Sequence, residues 1–315
     1  NVSGDAGGGT ALVGGNLQGK GPEQNASAIY VAQGTSINAD AIGNGNGGRV
    51  ILWSEDVTRV YGSVSARGGA AGGNGGFVET SSHNQLDITG MHLDLRAPQG
   101  QGGLWLIDPF SVTISNAATN AAITVVGANY SPNATGGTIL NTDINAQLDA
   151  DTSVTVTTSN GAGGGTEAGD ITQTAAGTIT KAAGADATLT LTAAGTITLN
   201  GGITSSTGKL NVVLTANDNT GGVGGQNDQN TAVGDVVINS SITTNGGNFS
   251  SSGVVYNTTS GTITTGVGNV TINHTGAVTL GAISAGGTLQ VTAAGAITDA
   301  VTTTLTVGGL ATFNA

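Results

Sequence analysis

The three histidines of this chain, His83, His92 and His274, are the side chains best suited to bind metals or to exchange protons near neutral pH. Their spacing contains no HExxH pattern, which would place two imidazoles on one helical face around zinc. His92 is close in sequence to Asp87 and Asp94, but a histidine in an exposed turn accounts for this arrangement. We therefore expect no metal-binding residue among them.

Hydrolysis of a glycosidic bond requires two carboxyl groups at a defined separation beside a groove. The tripeptide Asn141-Thr142-Asp143 resembles one short motif of polygalacturonase-type hydrolases. The Asp-Asp pair and the Gly-His-Gly and Arg-Ile-Lys segments that accompany it in those enzymes do not occur in this chain. We therefore expect no catalytic residue and no cofactor, and a polysaccharide-acting enzyme is kept only as an alternative.

Calcium binding by a nonapeptide repeat requires the pattern GGxGxD. Residues 221–228 read GGVGGQND, so Gln226 stands where the aspartate should be, and no second copy follows. A calcium site among Asp218, Asp228 and Asp235 is left open, and no metal is assigned.

Nine Asn-x-Ser/Thr sequons occur in the chain, including those at Asn25, Asn239, Asn257 and Asn269. This number is close to what a composition rich in asparagine, serine and threonine gives by chance. Glycosylation is therefore a hypothesis that the sequons alone do not support.

The composition excludes several classes of protein. A net charge of −12, from 19 acidic and seven basic residues, argues against partners that are nucleic acids or anionic lipids. Without cysteine there is no disulfide scaffold, and no apolar run is long enough to span a membrane. The chain begins with Asn1 and shows no signal peptide, so we interpret it as a piece of a longer protein.

The segment ATLTLTAAGTITL alternates apolar and hydroxyl side chains with a period of two. Leu189, Leu191, Ile197 and Leu199 should face a dry interior, while the intervening threonines should face solvent. Glycine, asparagine, serine and aspartate between such segments are typical of tight turns. The pattern predicts an all-β fold.

The one helix signal is at residues 141–150, where Thr142 is a candidate cap and Ile144 and Leu148 share a face.

Internal repeats favour a solenoid over an antiparallel sandwich. The heptad TAAGTIT at residues 174–180 returns at 192–198, and HTGAVTL at 274–280 is answered by TAAGAIT at 292–298. Such self-similarity predicts a parallel β-helix with roughly 18–20 residues per coil, in which similar residues of successive coils stack. We divide the chain into a motif-rich segment (1–115), a less regular part or excursion with a possible short helix (116–170), and threonine- and glycine-rich repeats (171–315).

Four spaced motifs in the first segment carry a resemblance. They are GGRVILW (47–53), TRVYGSVSARGG (58–69), GGNGGFVETS (72–81) and LWLIDP (104–109). In this order they resemble the passenger region of filamentous-haemagglutinin-like exoproteins, which are adhesins of the two-partner secretion family. The resemblance implies a right-handed parallel β-helix, export through an outer-membrane transporter partner, and an extracellular location on or near the outer membrane.

Aromatic and basic residues are concentrated in the same segment. We expect Trp53, Tyr61, Phe77 and Trp105 to pack in or against the coils rather than to stack on sugars. We also expect three arginines to pair with carboxylates of neighbouring coils: Arg49, Arg59 and Arg67 with Glu55, Asp56 or Glu79. Pro109 should end a strand.

The residues and the resemblance together predict a non-enzymatic, secreted, structural or adhesive stalk segment of a large bacterial surface exoprotein. Its expected partners are glycans or proteins of host cells or of the matrix. An alternative is a subunit of an extracellular β-solenoid filament that associates end to end through open terminal coils.

Overall fold

A computed structural model describes residues 1–117, 136–158, 168–217 and 234–315, together with the backbone of two strands between residues 123 and 132. The first half contains β1 (Thr10–Val13), β2 (Ala28–Val31), β3 (Ser36–Asn38), β4 (Arg49–Ser54), β5 (Val57–Val60), β6 (Ser63–Ser65), β7 (Phe77–Ser82), β8 (Gln85–Asp87), β9 (His92–Asp94), β10 (Leu104–Asp108), β11 (Val112–Ser115), β12 (Ile123–Val126), β13 (Asn129–Pro132), β14 (Gly136–Leu140), helix α1 (Asn141–Asp149) and β15 (Ser153–Thr157). A single 3-10 turn, Leu17–Gly19, follows β1.

The second half consists of short strands joined by turns. They are β16 (Ile171–Gln173), β17 (Ile179–Lys181), β18 (Ala187–Thr192), β19 (Ile197–Leu199), β20 (Ile203–Ser205), β21 (Leu210–Thr215), β22 (Val236–Ile238), β23 (Ser241–Thr243), β24 (Phe249–Gly253), β25 (Tyr256–Asn257), β26 (Thr262–Gly266), β27 (Val270–His274), β28 (Val278–Leu280), β29 (Ala282–Ala285), β30 (Leu289–Ala293), β31 (Ile297–Asp299), β32 (Leu305–Val307) and β33 (Ala311–Asn314).

The strands form three parallel stacks around one interior. Stack A has eleven strands in the order β1-β4-β7-β10-β15-β18-β21-β24-β27-β30-β33, and stack B has eleven in the order β2-β5-β8-β14-β11-β16-β19-β22-β25-β28-β31. Stack C consists of β3-β6-β9 and β17-β20-β23-β26-β29-β32. Among the described strands only the hairpin β12–β13 is antiparallel. The predicted parallel β-solenoid is confirmed, and at ~4.8 Å between strands stack A is about 48 Å long.

Coil length varies along the solenoid. In the last coils Val270 stacks on Leu289, 19 residues later, which agrees with the predicted period. Earlier coils are longer because loops between the strands take up the extra residues, as between Thr10 and its partner Arg49. The two TAAGTIT heptads do not stack on each other, since one ends in β17 of stack C and the other in β19 of stack B.

The interior is a set of apolar columns parallel to the axis. One column passes through all eleven coils and consists of Ala11, Val50, Val78, Trp105, Val154, Leu189, Val212, Phe249, Val270, Leu289 and Ala311. Its nine inner members are buried, whereas Ala11 in the first coil is half-buried and Ala311 in the last is exposed. Leu189, Leu191, Ile197 and Leu199 are fully buried, as their alternation predicted. Each coil contributes few apolar side chains, so its stability depends on its neighbours.

The regular winding is interrupted in the region 116–170. After β11 the chain passes through the hairpin β12–β13 and returns as β14, which enters stack B between β8 and β11. Helix α1 follows, and the predicted short helix is therefore confirmed. Ile144 and Leu148 are buried on one face, but the residue before the helix is Leu140, so Thr142 lies within the first turn and does not cap it. Pro109 directly follows β10 and ends it.

No helix in the described ranges has the length and apolar character that crossing a membrane requires.

Candidate functional site

Helix α1 lies where stack C is interrupted, between β9 and β17. Its side-chain amides bond to the backbone edges of both strands. Gln147 Nε2 donates to the carbonyl oxygen of Leu93 in β9 at 3.2 Å, and the amide of Thr180 in β17 donates to Asn145 Oδ1 at 2.8 Å. Since a helix cannot offer the hydrogen-bond ladder of a strand, these amides partly satisfy the groups that the missing strand would pair with.

Lys181 stabilises the other end of the helix. Its Nζ donates to the carbonyl oxygen of Leu148 at 2.9 Å and to that of Ala183. Burial lowers the pKa of Lys181, while the carboxylates of Asp151 and Asp149 oppose this effect. A cation at a helix C-terminus interacts favourably with the free carbonyl groups there, so Lys181 fixes the last turn of α1.

A cavity of about 250 Å³ remains between α1 and the coil that contains β9. Ile88, Met91 and Trp105 provide apolar walls, and His92, Asp143 and Gln147 provide polar groups. Burial raises the pKa of Asp143 to about 6, and His92 opposes this rise. The cavity arises because the cylinder of a helix does not pack as closely on a coil as a strand does.

The tripeptide Asn141-Thr142-Asp143 is not assembled as a hydrolytic centre. Asn141 Nδ2 donates to the carbonyl oxygen of Thr178 at 2.6 Å, Thr142 is exposed, and Asp143 lines the cavity. Asp143 is the one carboxyl among the cavity-lining residues that the structure describes, whereas glycoside hydrolysis requires two.

A second polar centre lies on the outer face of stack A, under residues 14–25, which we call the strap. The backbone amide of Gln18 donates to Glu79 Oε1 at 3.0 Å, and its side-chain Nε2 donates to Asp108 Oδ2 at 3.0 Å. Glu79 is fully buried, and desolvation raises its pKa to about 7. The strap also covers Trp53, and its backbone lies so close to the indole ring that a Cβ atom on Gly19 would be 2.4 Å from a ring carbon. The Gln18 contacts therefore hold the strap closed over a carboxyl pair.

His83 belongs to an aromatic cluster beside the strap. Its Nδ1 lies 3.0 Å from Glu55 Oε2, its ring contacts Trp53 edge-on at 5.0 Å, and it stacks on Phe110 at 5.1 Å. Within the described ranges, no group of three His, Asp or Glu residues is arranged to hold a metal ion.

His274 lies inside the solenoid. Its Nε2 is 2.9 Å from Ser251 Oγ in the neighbouring coil, and its ring is 5.3 Å from that of Tyr256. Burial lowers the pKa of His274 to about 4 and raises the pKa of Tyr256. Both side chains are buried, and the contact between His274 and Ser251 is a neutral polar one within an apolar interior.

None of the arginine–carboxylate ion pairs predicted from the sequence forms in the described ranges, although the charge of Arg49 opposes the rise that burial causes in the pKa of Glu79. Among the described residues, Arg67 pairs with Asp94 at 3.6 Å, and Arg49 lies over the ring of Phe77 at 5.5 Å. Two of the predicted carboxylate partners have other contacts: Glu55 pairs with His83, and Asp56 accepts a hydrogen bond from the side-chain amide of Asn84. Sequence spacing does not reveal these contacts, because the loops between stacked strands differ in length from coil to coil.

Both tryptophans pack as predicted, because Trp53 and Trp105 are each 1% exposed. Tyr61 donates to Asp87 Oδ2 at 2.7 Å and contacts Tyr30 edge-on. Phe77 is half-buried beneath Arg49. All four aromatic side chains therefore have protein partners.

A ladder of asparagines on the surface was missed by the sequence analysis. The backbone amide of Asn248 donates to Asn211 Oδ1, and that of Asn269 donates to Asn248 Oδ1, each at 2.9 Å. The backbone amide of Thr288 continues the series by donating to Asn269 Oδ1 at 2.8 Å. The signal was an asparagine directly before the column residues Val212, Phe249 and Val270 of successive stack A strands. These side chains link neighbouring coils outside the strand ladder.

The sequons differ in accessibility. Asn239, Asn257 and Asn269 are exposed, whereas Asn25 is half-buried and donates to Gly19 O and Glu55 Oε1. Of the predicted calcium candidates, residues 221–228, Asp218 and Asp228 lie outside the described residues. The side chain of Asp235 accepts a hydrogen bond from Val255 N at 3.3 Å.

Comparison with known families gives one finding, at the C-terminal end of the chain. Residues 267–315 match a family described as repeats of unknown function (DUF5649). They contain the coils from β27 to β33, where the coil length is closest to the predicted period. No curated protein matches the chain.

Proposed function

We propose that this chain is a non-enzymatic structural and adhesive stalk segment of a large bacterial surface exoprotein. The observation that carries the proposal is the unbroken stack A, in which eleven parallel strands contribute one continuous column of apolar side chains to the interior. Backbone hydrogen bonds run along the axis of such a rod, so bending or stretching it requires many of them to be distorted together.

The outer surface supports the same proposal. Positions that alternate with the core carry hydroxyl and amide side chains, as in Thr188 and Thr190 of β18 and Asn211 of β21. The net charge of −12 keeps such a surface soluble and limits association between copies. A stiff, polar rod of this kind is suited to hold a binding surface away from a cell.

Export and location follow from the resemblance to filamentous-haemagglutinin-like exoproteins. The proposed route is secretion through an outer-membrane transporter partner, followed by display at the cell surface or release. End-to-end association into a filament is the alternative that the sequence analysis raised.

Adhesion is tested with beads that carry the purified chain, by measuring their retention on cultured epithelial cells and on matrix proteins under flow. A matched pair of variants on adjacent residues separates the role of the rod from that of charge. Leu189→Asp places a carboxylate in the interior, whereas Thr190→Asp places one on the half-exposed outer face. Because a solenoid opens in local units, we expect the first variant to lose part of its β-sheet circular dichroism together with bead retention, and the second to keep both.

Retention no higher than that of albumin-coated beads on every surface would refute the adhesive role. Negative-stain microscopy of the same sample examines the alternative, because filaments that lengthen with concentration would favour the polymer over the stalk. Release of reducing ends from acidic polysaccharides would overturn the non-enzymatic assignment.

A further inference from the structure

We propose that the cavity between α1 and β9 binds a small organic ammonium ion, namely a primary amine at the end of a short alkyl chain. This inference concerns a separate site and does not depend on the adhesive role. Its basis is the combination of free acceptor groups, apolar walls and limited volume in one cavity.

The free polar atoms of the cavity accept hydrogen bonds. Gln147 is 7% exposed, and its Nε2 is committed to Leu93 O, while its Oε1 has no partner among the described residues. Asp143 forms no hydrogen bond or ion pair within the described ranges and faces His92 of β9. A buried acceptor without a donor and a partly buried carboxylate are both costly, and an ammonium group offers donors and a positive charge to both.

The walls suit the rest of such a ligand. Trp105 provides an aromatic surface, which attracts cations through its ring electrons, and Met91 and Ile88 provide apolar contacts for an alkyl chain. The volume of about 250 Å³ is below the usual range for drug-sized ligands, so it fits a few methylene groups and one ammonium group.

Protonation of Asp143 should control the site. Burial raises the pKa of Asp143 to about 6, so the carboxylate is largely ionised at neutral pH and is lost as the pH falls through that value. The other titratable groups around α1 in the described ranges include His92 from β9, Lys181 from β17, Asp149 at the end of the helix, and Asp151 and Asp186 beside Lys181. Lys181 is bonded to Leu148 O at the other end of the helix and is not among the groups that shift the pKa of Asp143, which are burial and His92. Binding should therefore weaken at acidic pH.

The test is isothermal titration calorimetry of the whole chain with n-butylammonium chloride and with its neutral isostere 1-butanol. We expect one saturable site for the amine and at least about tenfold weaker binding of the alcohol. Asp143→Asn should reduce amine affinity at least about tenfold, whereas Asp299→Asn, which removes an exposed carboxylate from a distant coil, should leave it unchanged. Nα-acetyl-lysine amide distinguishes a lysine side chain of a partner protein from a free amine.

A second variant keeps the test decisive if circular dichroism shows that Asp143→Asn is unfolded. Ala146 is exposed and lines the same cavity, so Ala146→Phe fills the space without removing a polar contact and should abolish binding. Equal affinity for amine and alcohol, unchanged amine affinity in either folded variant, or tighter binding of methyl glucoside than of the amine would each overturn the proposal.

Discussion

Acidification should destabilise the C-terminal half of the solenoid through His274. The imidazole is buried, contacts Ser251 and Tyr256, and has no carboxylate among these contacts to stabilise its charged form. Burial lowers its pKa from 6.5 to about 4. Between these two values the unfolded chain binds a proton that the folded chain does not, so falling pH favours unfolding.

The size of this effect follows from the pKa difference. A difference between 6.5 and about 4 corresponds to about 3 kcal/mol, since each pKa unit is worth 1.36 kcal/mol. The loss begins as the pH drops below about 6.5, is nearly complete at about pH 4, and is absent above neutral pH. A loss of this size is a large fraction of the stability of an ordinary domain.

The assay is urea unfolding at about pH 7.5, 6, 5 and 4, combined with hydrogen exchange of β24 and β27, because a solenoid opens in local units. His274→Gln keeps a polar side chain but does not titrate. Its free energy of unfolding should therefore fall by about 3 kcal/mol less than that of the parent protein across this pH range. Thr306→Gln places the same side chain at an exposed position that does not titrate and is the control. If His274→Gln and the parent protein lose stability equally on acidification, the reasoning is refuted.

Three further substitutions have defined outcomes. Glu79→Gln should stabilise the fold by up to about 3 kcal/mol at about pH 8 and by almost nothing at about pH 4. The reason is that ionisation of the buried Glu79 carboxyl lowers the stability of the folded chain as the pH rises from 4.5 to about 7. Equal effects at both pH values in urea titrations would contradict this. Lys181→Met should cost about 2 kcal/mol in the same titrations by removing two hydrogen bonds to carbonyl oxygens, while Lys209→Met, at an exposed position, should be neutral. Gly75→Ala should cost about 3 kcal/mol, because its Cβ would lie 1.9 Å from Leu95 O; Gly202→Ala, with its nearest contact at 3.6 Å, should not change the melting temperature.

The sequence predicts the architecture well because strand periodicity is a local property. Alternation around Leu189 and Leu191 identifies the buried face without knowledge of which coil lies next to it. The same holds for Ile144 and Leu148 in α1, since a helical face is also local. Coil length is less accessible, because it depends on loops of variable size.

The polar centres are much harder to predict because their partners belong to different coils. Gln18 and Glu79 are 61 residues apart, and Gln147 and Leu93 are 54 apart. No short motif encodes such distances, and neighbouring loops change them from coil to coil. The asparagine ladder is the exception, since each of its members directly precedes a residue of the same apolar column in successive stack A strands.

The junction at α1 connects the stacking argument with the proposed ligand site. Stacks A and B pass it without interruption, whereas stack C is divided into three strands before it and six after it. Because a solenoid is stabilised by contacts between neighbouring coils, a coil that offers side-chain amides instead of a strand ladder has less backbone pairing to resist opening. A ligand in the adjacent cavity stabilises that coil by RT ln(1 + [L]/Kd), about 2.7 kcal/mol at a hundredfold excess over Kd. n-Butylammonium should therefore slow hydrogen exchange in α1 and β17 more than in β27 and β30, and equal protection along the chain would show that the amine acts elsewhere.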